Sequence, residues 1–464
     1  MGIWEAADKV LPTGRRFAEA LRAGDETAHA QRMALIAFAI RVASAGIAFI
    51  SQIVQARLMG EFEYGIFVFI WMMMIMVGNL SCLGFHSAVI RFLPEYRVLD
   101  AHGEIRGLAF TARVFAIASA TTLAALGFAG LHLLGDRIEP FYLAPAVLGF
   151  VALPMIALGD VLDGTARANS WAISAFSQTY IIRPTLILVF MVGAVLMGQP
   201  KTATTAMQSA LAATYVTTLG QFIGITWRMR KRYQTGPLKI DFPAWFRVAL
   251  PIFLIEGFGF MLTNADVVIV GFYMPPDQVG IYFAAAKTIA LVQFVFFSVK
   301  AAAGPRFSSL IAARDTPALA TFAAKTTRWT FWPSLTVGCG VLILGDFLLS
   351  LFGSAFTAGY PLMAILFAGI MMKAMVGPGE VLLTMAGKQK LCATLYAGIL
   401  TANVILNILC IPLFGLVGAA LASAIATGIE AVLLHITVRR TLGIALFAFA
   451  SPQPVPVPAK ASSP

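Results

Sequence analysis

From residue 33 to residue 438 the chain alternates long apolar stretches with short polar connections. Twelve stretches are long enough to cross a bilayer, at approximately 33–59, 65–93, 108–134, 141–163, 171–197, 203–227, 247–273, 279–303, 329–353, 360–386, 390–413 and 415–438. A hydrocarbon core of about 30 Å takes roughly 20 apolar residues of helix, and backbone groups in lipid bond within their own segment. The pattern predicts an all-α polytopic membrane protein of about 12 transmembrane helices.

Composition agrees: 59% of the residues are hydrophobic and 12% charged, where a soluble domain carries about 25% charged. With the N-terminus inside, the cytoplasmic connections collect about 26 of the 33 Lys and Arg, and the outer ones hold about three, Arg57, Arg137 and Lys201. Both termini are therefore expected in the cytoplasm. The net charge of +11 belongs to this bias. Nucleic acid is not an expected partner, because the basic residues flank spans without interleaved exposed aromatics. Cys82, Cys339, Cys392 and Cys410 form no C-x-x-C pair and read as small buried hydrophobes. Residues 441–450 are apolar but too short to span, and read as interfacial.

The chain also repeats itself. Met59, Gly65, Ile66 and Phe67 match Met274, Gly280, Ile281 and Tyr282 at an offset of 215, and Asp160, Val161 and Leu162 echo Glu380, Val381 and Leu382 at an offset of 220. Two echoes at nearly equal offset predict two parallel six-helix lobes, since six crossings return the chain to the same side. The expected organisation is an N-terminal segment at 1–32, an N-lobe at 33–227, a cytoplasmic linker at 228–246, a C-lobe at 247–438 and a proline-rich tail at 439–464.

Ionisable groups at membrane depth cost about 2.5–3.5 kcal/mol each, which makes them functional candidates. In the first span Arg41, Ser44, Ser51, Gln52 and Gln55 form one polar stripe, expected to face an aqueous cavity. Glu256, Thr263 and Asp266 share a sector of span seven, and Lys287 with Ser298 shares a face of span eight. Arg183 precedes Pro184, predicting a kink in span five. Lys373 and Glu380, seven residues apart around Gly377, Pro378 and Gly379, are expected on one face of a broken span ten. Substrate-binding candidates are Arg41, Gln52, Gln55, Arg183, Lys287 and Lys373; ion-coupling candidates are Glu256, Asp266 and Glu380. Glu256 or Asp266 pairing with Lys287 to lock the fold is the structural alternative. Arg57 and Lys300 lie near span ends and read as snorkelling groups, Glu430 likewise, and His86 as a packed polar residue.

Three patches carry a resemblance. Gln55 to Phe67 with Arg91-Phe92-Leu93-Pro94-Glu95-Tyr96, Asp266 to Gly271 with Val279-Gly280-Ile281-Tyr282 and Ala286-Lys287, and Gly387-Lys388-Gln389-Lys390 with Asn407, Ile411-Pro412 and Gly418-Ala419-Ala420 resemble bacterial polysaccharide exporters and O-antigen flippases. These belong to the multidrug/oligosaccharidyl-lipid/polysaccharide (MOP) exporter superfamily. The resemblance implies two lobes, alternating access, and a polyprenyl-diphosphate-linked oligosaccharide moved across the bacterial inner membrane. It also implies that Arg41 and Lys287 hold anionic cargo, with membrane lipids and a glycan polymerase or ligase as candidate partners. Span eight departs from the pattern by carrying Lys where Arg is common, which weakens bidentate phosphate recognition.

Two rivals remain open at this point. A cation-coupled drug exporter would share the fold. A membrane glycosyltransferase or polymerase would need a large outer loop with acid, base or metal ligands, but the outer loops are a few residues long. There is no G-x-x-x-x-G-K-[ST] phosphate loop, so ATP hydrolysis by the chain itself is not expected. No cofactor or metal is expected, and no enzymatic activity.

Overall fold

The computed structural model describes residues 26–449 other than 235, with side chains from residue 43 onward, those of 136, 172, 255 and 301 excepted. The expectations for residues 1–25, for the side chain of Arg41 and for the proline-rich tail from 451 lie outside the described residues.

Helices are the regular secondary structure of the described residues, with no strand among them. Helix α1 (Glu26–Ser81) is followed by α2 (Phe85–Val98), α3 (His102–Leu133) and α4 (Pro140–Ala168). Next come α5 (Ala172–Ser177), a π-helical turn (Gln178–Ile182), α6 (Arg183–Leu196) and α7 (Ala203–Arg232). The second half holds α8 (Phe242–Tyr273), α9 (Pro276–Ile289), α10 (Gln293–Ala312), α11 (Thr316–Ile343) and α12 (Gly345–Ser350). It ends with α13 (Tyr360–Val376), α14 (Gly379–Met385) and α15 (Gln389–Leu442). Eight helices are long and apolar enough to cross a membrane. Large apolar side chains such as Leu133, Leu196, Phe272 and Leu413 stand exposed on their outer surfaces, the arrangement lipid favours over water.

Two of these helices double back. In α1 the Tyr64 hydroxyl donates to Gln52 Oε1 at 2.8 Å, although twelve residues of straight helix would separate them by about 18 Å. The reversal is at Gly60, where φ 77° and ψ 173° suit glycine alone. In α15 the same role falls to Gly415 (φ 57°, ψ −136°), which lets Tyr396 reach Glu430 at 3.0 Å.

Local chemistry sets the other boundaries. Asp241 and Asp315 accept from Ala244 N–H at 3.2 Å and Ala318 N–H at 3.0 Å, capping α8 and α11. The Glu63 carboxylate accepts from Ala203 N–H at 2.7 Å, so α7 is capped from another helix.

The halves meet where α9 packs along α1. Gly65 lies against the Pro276 carbonyl, and Gly280 against the Glu61 carbonyl. Positions 61 and 276, like 65 and 280, are related by the repeat offset of 215. The contact is thus reciprocal, as across a two-fold axis. Phe49 on Phe352 and Tyr64 on Phe356 extend it in edge-on contacts. Helices α10, α11 and α14 pack chiefly on second-half elements, around a separate apolar cluster that includes Phe307, Leu382 and Leu434.

Residues 443–449, from the stretch expected to be interfacial, dock against the protein itself. Ile444 and Leu446 are buried in that cluster, and Ala448 N–H donates to Met375 O at 2.9 Å. Met375 precedes the break at Gly377 and Pro378, so the segment satisfies a carbonyl that the interrupted helix leaves open. The cysteine expectation holds for Cys82 and Cys392, which are buried, but Cys339 is exposed on the lateral surface of α11.

Candidate functional site

Two cavities converge on Lys287. The first, about 590 Å³, is walled by both limbs of α1, by α4, by the π turn and α6, and by α8 and α9. The second, about 470 Å³, lies among α8, α9, α10, α13, α14 and α15. Lys287 borders both.

The first cavity is lined by Asp160, Asp163 and Glu256 and by Arg167, Arg183 and Lys287. Each acid is held by side chains of the protein. Asp160 accepts from Asn79 Nδ2 at 3.0 Å, and Asp163 from Thr179 Oγ1 at 2.7 Å and Gln221 Nε2 at 2.6 Å. Glu256 takes hydrogen bonds from Ser87 Oγ and, at 3.2 Å, from His86 Nε2. Arg183 and Lys287, by contrast, form no ion pair among the described residues; the Lys287 ammonium stands 5.2 Å from the Phe283 ring centroid. The wall thus carries three acids and three bases; the acids are fixed by hydrogen bonds within the protein, while the N–H groups of Arg183 and Lys287 are closed in no salt bridge among the described residues and can donate to an incoming anion.

The second cavity has the opposite character. Lys300 pairs with Glu380 at 2.5 Å and Lys373 with Glu430 at 2.6 Å, while Tyr396 also donates to Glu430. Asp266 accepts from the Tyr282 hydroxyl at 2.8 Å and from Val267 N–H at 2.9 Å. Lys300 and Lys373 are thus already matched to carboxylates, and Lys287 is the lysine of this wall that is not.

Residues 32–311 match the family model described as polysaccharide biosynthesis protein. The chain belongs to that family.

Solved structures place its fold among MOP-superfamily transporters. An inward-facing multidrug resistance MATE family transporter aligns with a TM-score of 0.69 at 14% identity, over 88% of this chain and 98% of the other. The lipid II flippase MurJ, in an inward closed conformation, aligns at 0.69 and 14% identity over 87% of each chain. A MOP superfamily transporter from Pyrococcus furiosus aligns at 0.63 and 16% identity over 91% of this chain and 97% of the other. At such identities the fold is what is shared. No curated protein matches the chain significantly by sequence.

Within this polysaccharide biosynthesis family member, Gln52, Gln55, Arg183, Lys287 and Glu256 line the first cavity, and Lys373, Asp266, Glu380 and Lys287 the second. Ser51, Gln52 and Gln55 do face one cavity, as the stripe in span one predicts. The sector of span seven divides: Glu256 faces the first cavity, Thr263 and Asp266 the second. Neither acid forms an ion pair with Lys287. Lys373 and Glu380 do not share a continuous helix face. Gly377 (φ 66°, ψ −150°) resets the helical phase, so each finds a separate partner, Glu430 and Lys300. A 3-10 turn at Ala290–Val292 likewise separates Ser298 from Lys287, and Ser298 lines neither cavity. Lys300 and Glu430 are cavity residues and not snorkelling ones, and His86 holds Glu256.

Sequence reasoning missed Asp163, Asn79, Thr179 and Gln221. Asp163 was within reach, lying one helical turn after the repeat residue Asp160 on the same face. Its amide and hydroxyl donors come from two other helical elements and carry no local signal.

Proposed function

We propose that the protein flips a polyprenyl-diphosphate-linked oligosaccharide, or exports a related polysaccharide precursor, across the bacterial inner membrane by alternating access. The carrying observation is the pair of bases with no salt bridge among the described residues, Arg183 and Lys287, on the wall of the larger cavity. A diphosphate cannot cross about 30 Å of hydrocarbon bare, and its lipid part needs no such shelter. Two cations facing the cavity supply the charge compensation, with Gln52 and Gln55 as neutral hydrogen-bonding partners and Arg41 as a further cargo contact from the same helix.

The reading places twelve crossings in two parallel six-helix lobes, 33–227 and 247–438, with both termini cytoplasmic. Eight apolar helices, two of them doubled at Gly60 and Gly415, together with α7 and α11, supply that number. The reciprocal contact of Gly65 and Gly280 supports the two-fold relation. Asp266, the carboxylate of the second cavity held by a hydroxyl and a backbone N–H, and Glu256 in the first are proposed to take the coupling proton or cation. Lys373 and Glu380 act through their ion pairs.

The test is flipping of fluorescent undecaprenyl-diphosphate disaccharide in proteoliposomes. Arg183→Ala and Lys287→Ala should each lower the rate at least tenfold while the purified proteins keep their thermal midpoint. Rates equal to the parent in both variants reject these bases as cargo contacts. Efflux of cationic dyes at the parent's flipping rate would instead favour a drug exporter.

A further inference from the structure

The second cavity differs from the first in one respect that bears on cargo. It is lined by three carboxylates, Asp266, Glu380 and Glu430, and three lysines, Lys287, Lys300 and Lys373. Two of the lysines are closed in ion pairs at 2.5 and 2.6 Å. Around them stand neutral hydrogen-bonding groups, Gln293, Asn403, Ser423 and Thr427, and the rings of Phe296 and Tyr396. Its volume of about 470 Å³ lies within the roughly 300–1,000 Å³ usual for small-molecule sites.

Such a wall discriminates by charge. With Lys287 at the junction taken by the diphosphate on the flippase reading, an anionic group entering here must displace Glu380 from Lys300 or Glu430 from Lys373, which leaves a carboxylate without its ammonium. A sugar hydroxyl both donates and accepts, so it bonds the spare lone pairs of a carboxylate and the spare N–H of an ammonium without breaking either pair. The Lys300 and Glu380 side chains are 31% and 38% exposed, and therefore reachable, whereas Glu430 is sealed at 2%. Lys287 borders both cavities, so a ligand whose diphosphate sits in the first can extend its sugar into the second.

We infer that the second cavity receives the glycan of the cargo, that this glycan is uncharged, and that Glu380 excludes acidic sugars by holding Lys300. The inference rests on the flippase reading of the first cavity.

The full chain in nanodiscs is titrated with three probes: farnesyl diphosphate, farnesyl diphosphate bearing a neutral disaccharide, and the same bearing a disaccharide that ends in a hexuronic acid. Each affinity is expressed relative to the bare diphosphate in the same variant. In the parent protein the neutral disaccharide should bind about tenfold tighter than the bare lipid, and the acidic one no tighter. Glu380→Gln, which releases Lys300, should raise the acidic disaccharide about tenfold relative to the neutral one, the scale of one charge-assisted hydrogen bond. Thr427→Val, nearly isosteric, should lower the neutral ratio about threefold to fivefold, and it serves if the first variant does not fold. Equal binding of bare and neutral probes, or preference for the acidic probe in the parent, overturns this inference alone. Failure of even farnesyl diphosphate to bind overturns the first-cavity reading and this one with it.

Discussion

Adding a single methyl group at Gly65 should part the two halves. The Cβ of an alanine there would sit 1.6 Å from the Pro276 carbonyl oxygen and 2.4 Å from its carbon. Non-bonded carbon contacts settle near 3.5–4.0 Å, so α1 and α9 must separate by about 2 Å. Pro276 opens α9, and its carbonyl is helix backbone that cannot swing aside like a side chain. Overpacking typically costs about 1–3 kcal/mol, and backbone on both sides puts this site at the upper end. About 2 kcal/mol is a ~30-fold change in the ratio of closed to parted states. The repeat supplies an internal control. An alanine at Gly280 would place its Cβ 2.8 Å from the Glu61 carbonyl oxygen, a milder backbone conflict that calls for less than half of that ~2 Å separation and costs about 1 kcal/mol. Ala284, fully buried one helical turn after Gly280 on the same face of α9, becomes the reporter when replaced by cysteine in a background without the four native ones. Labelling of a buried thiol through rare opening tracks the open population. Gly65→Ala should therefore accelerate reaction with a membrane-impermeant maleimide about 30-fold, and Gly280→Ala about fivefold. Equal rates in the two variants, or no acceleration in either, would refute the argument that this contact closes the halves.

Other perturbations test the frame around the cavities. Glu430→Gln leaves Lys373 without its partner in a sealed site and should cost about 3–5 kcal/mol, read as a lowered thermal midpoint in detergent; replacing both residues by leucine and methionine should recover most of it, and a single variant as stable as the parent would contradict the pair's burial. Gly60→Ala meets nothing within 4 Å, so its expected loss of about 1–3 kcal/mol comes from the backbone conformation alone, and a wild-type midpoint would show that the reversal tolerates another φ.

Long apolar runs declare themselves because lipid imposes length and composition on every span, and local breakers declare themselves because glycine and proline act on their own backbone. The break around Gly377 and the disturbance before Pro184, seen as a π turn at Gln178–Ile182, were legible on those grounds. The interruption at Leu83 and Gly84, where φ is 41° and 82°, was not, for nothing in the apolar run around it distinguishes a broken helix from an intact one. Candidate polar residues were identified by type, since each is costly in lipid. Their partners were not, because Lys300 and Glu380 lie 80 residues apart and meet only through helix packing. The angular argument for Lys373 and Glu380 failed for a related reason: helical phase survives only while the helix does.

The docking of residues 443–449 sets where the chain can be altered at its end. Ala448 O accepts from Arg328 Nε at 3.1 Å, and Phe449 stacks edge-on against Phe331 and Trp332, so this short run is stitched to α11 as well as to Met375. A fluorescent fusion joined after residue 449 leaves those stitches in place, whereas one joined at residue 442 strips the Met375 carbonyl of its donor. Comparable activity is expected only from the former.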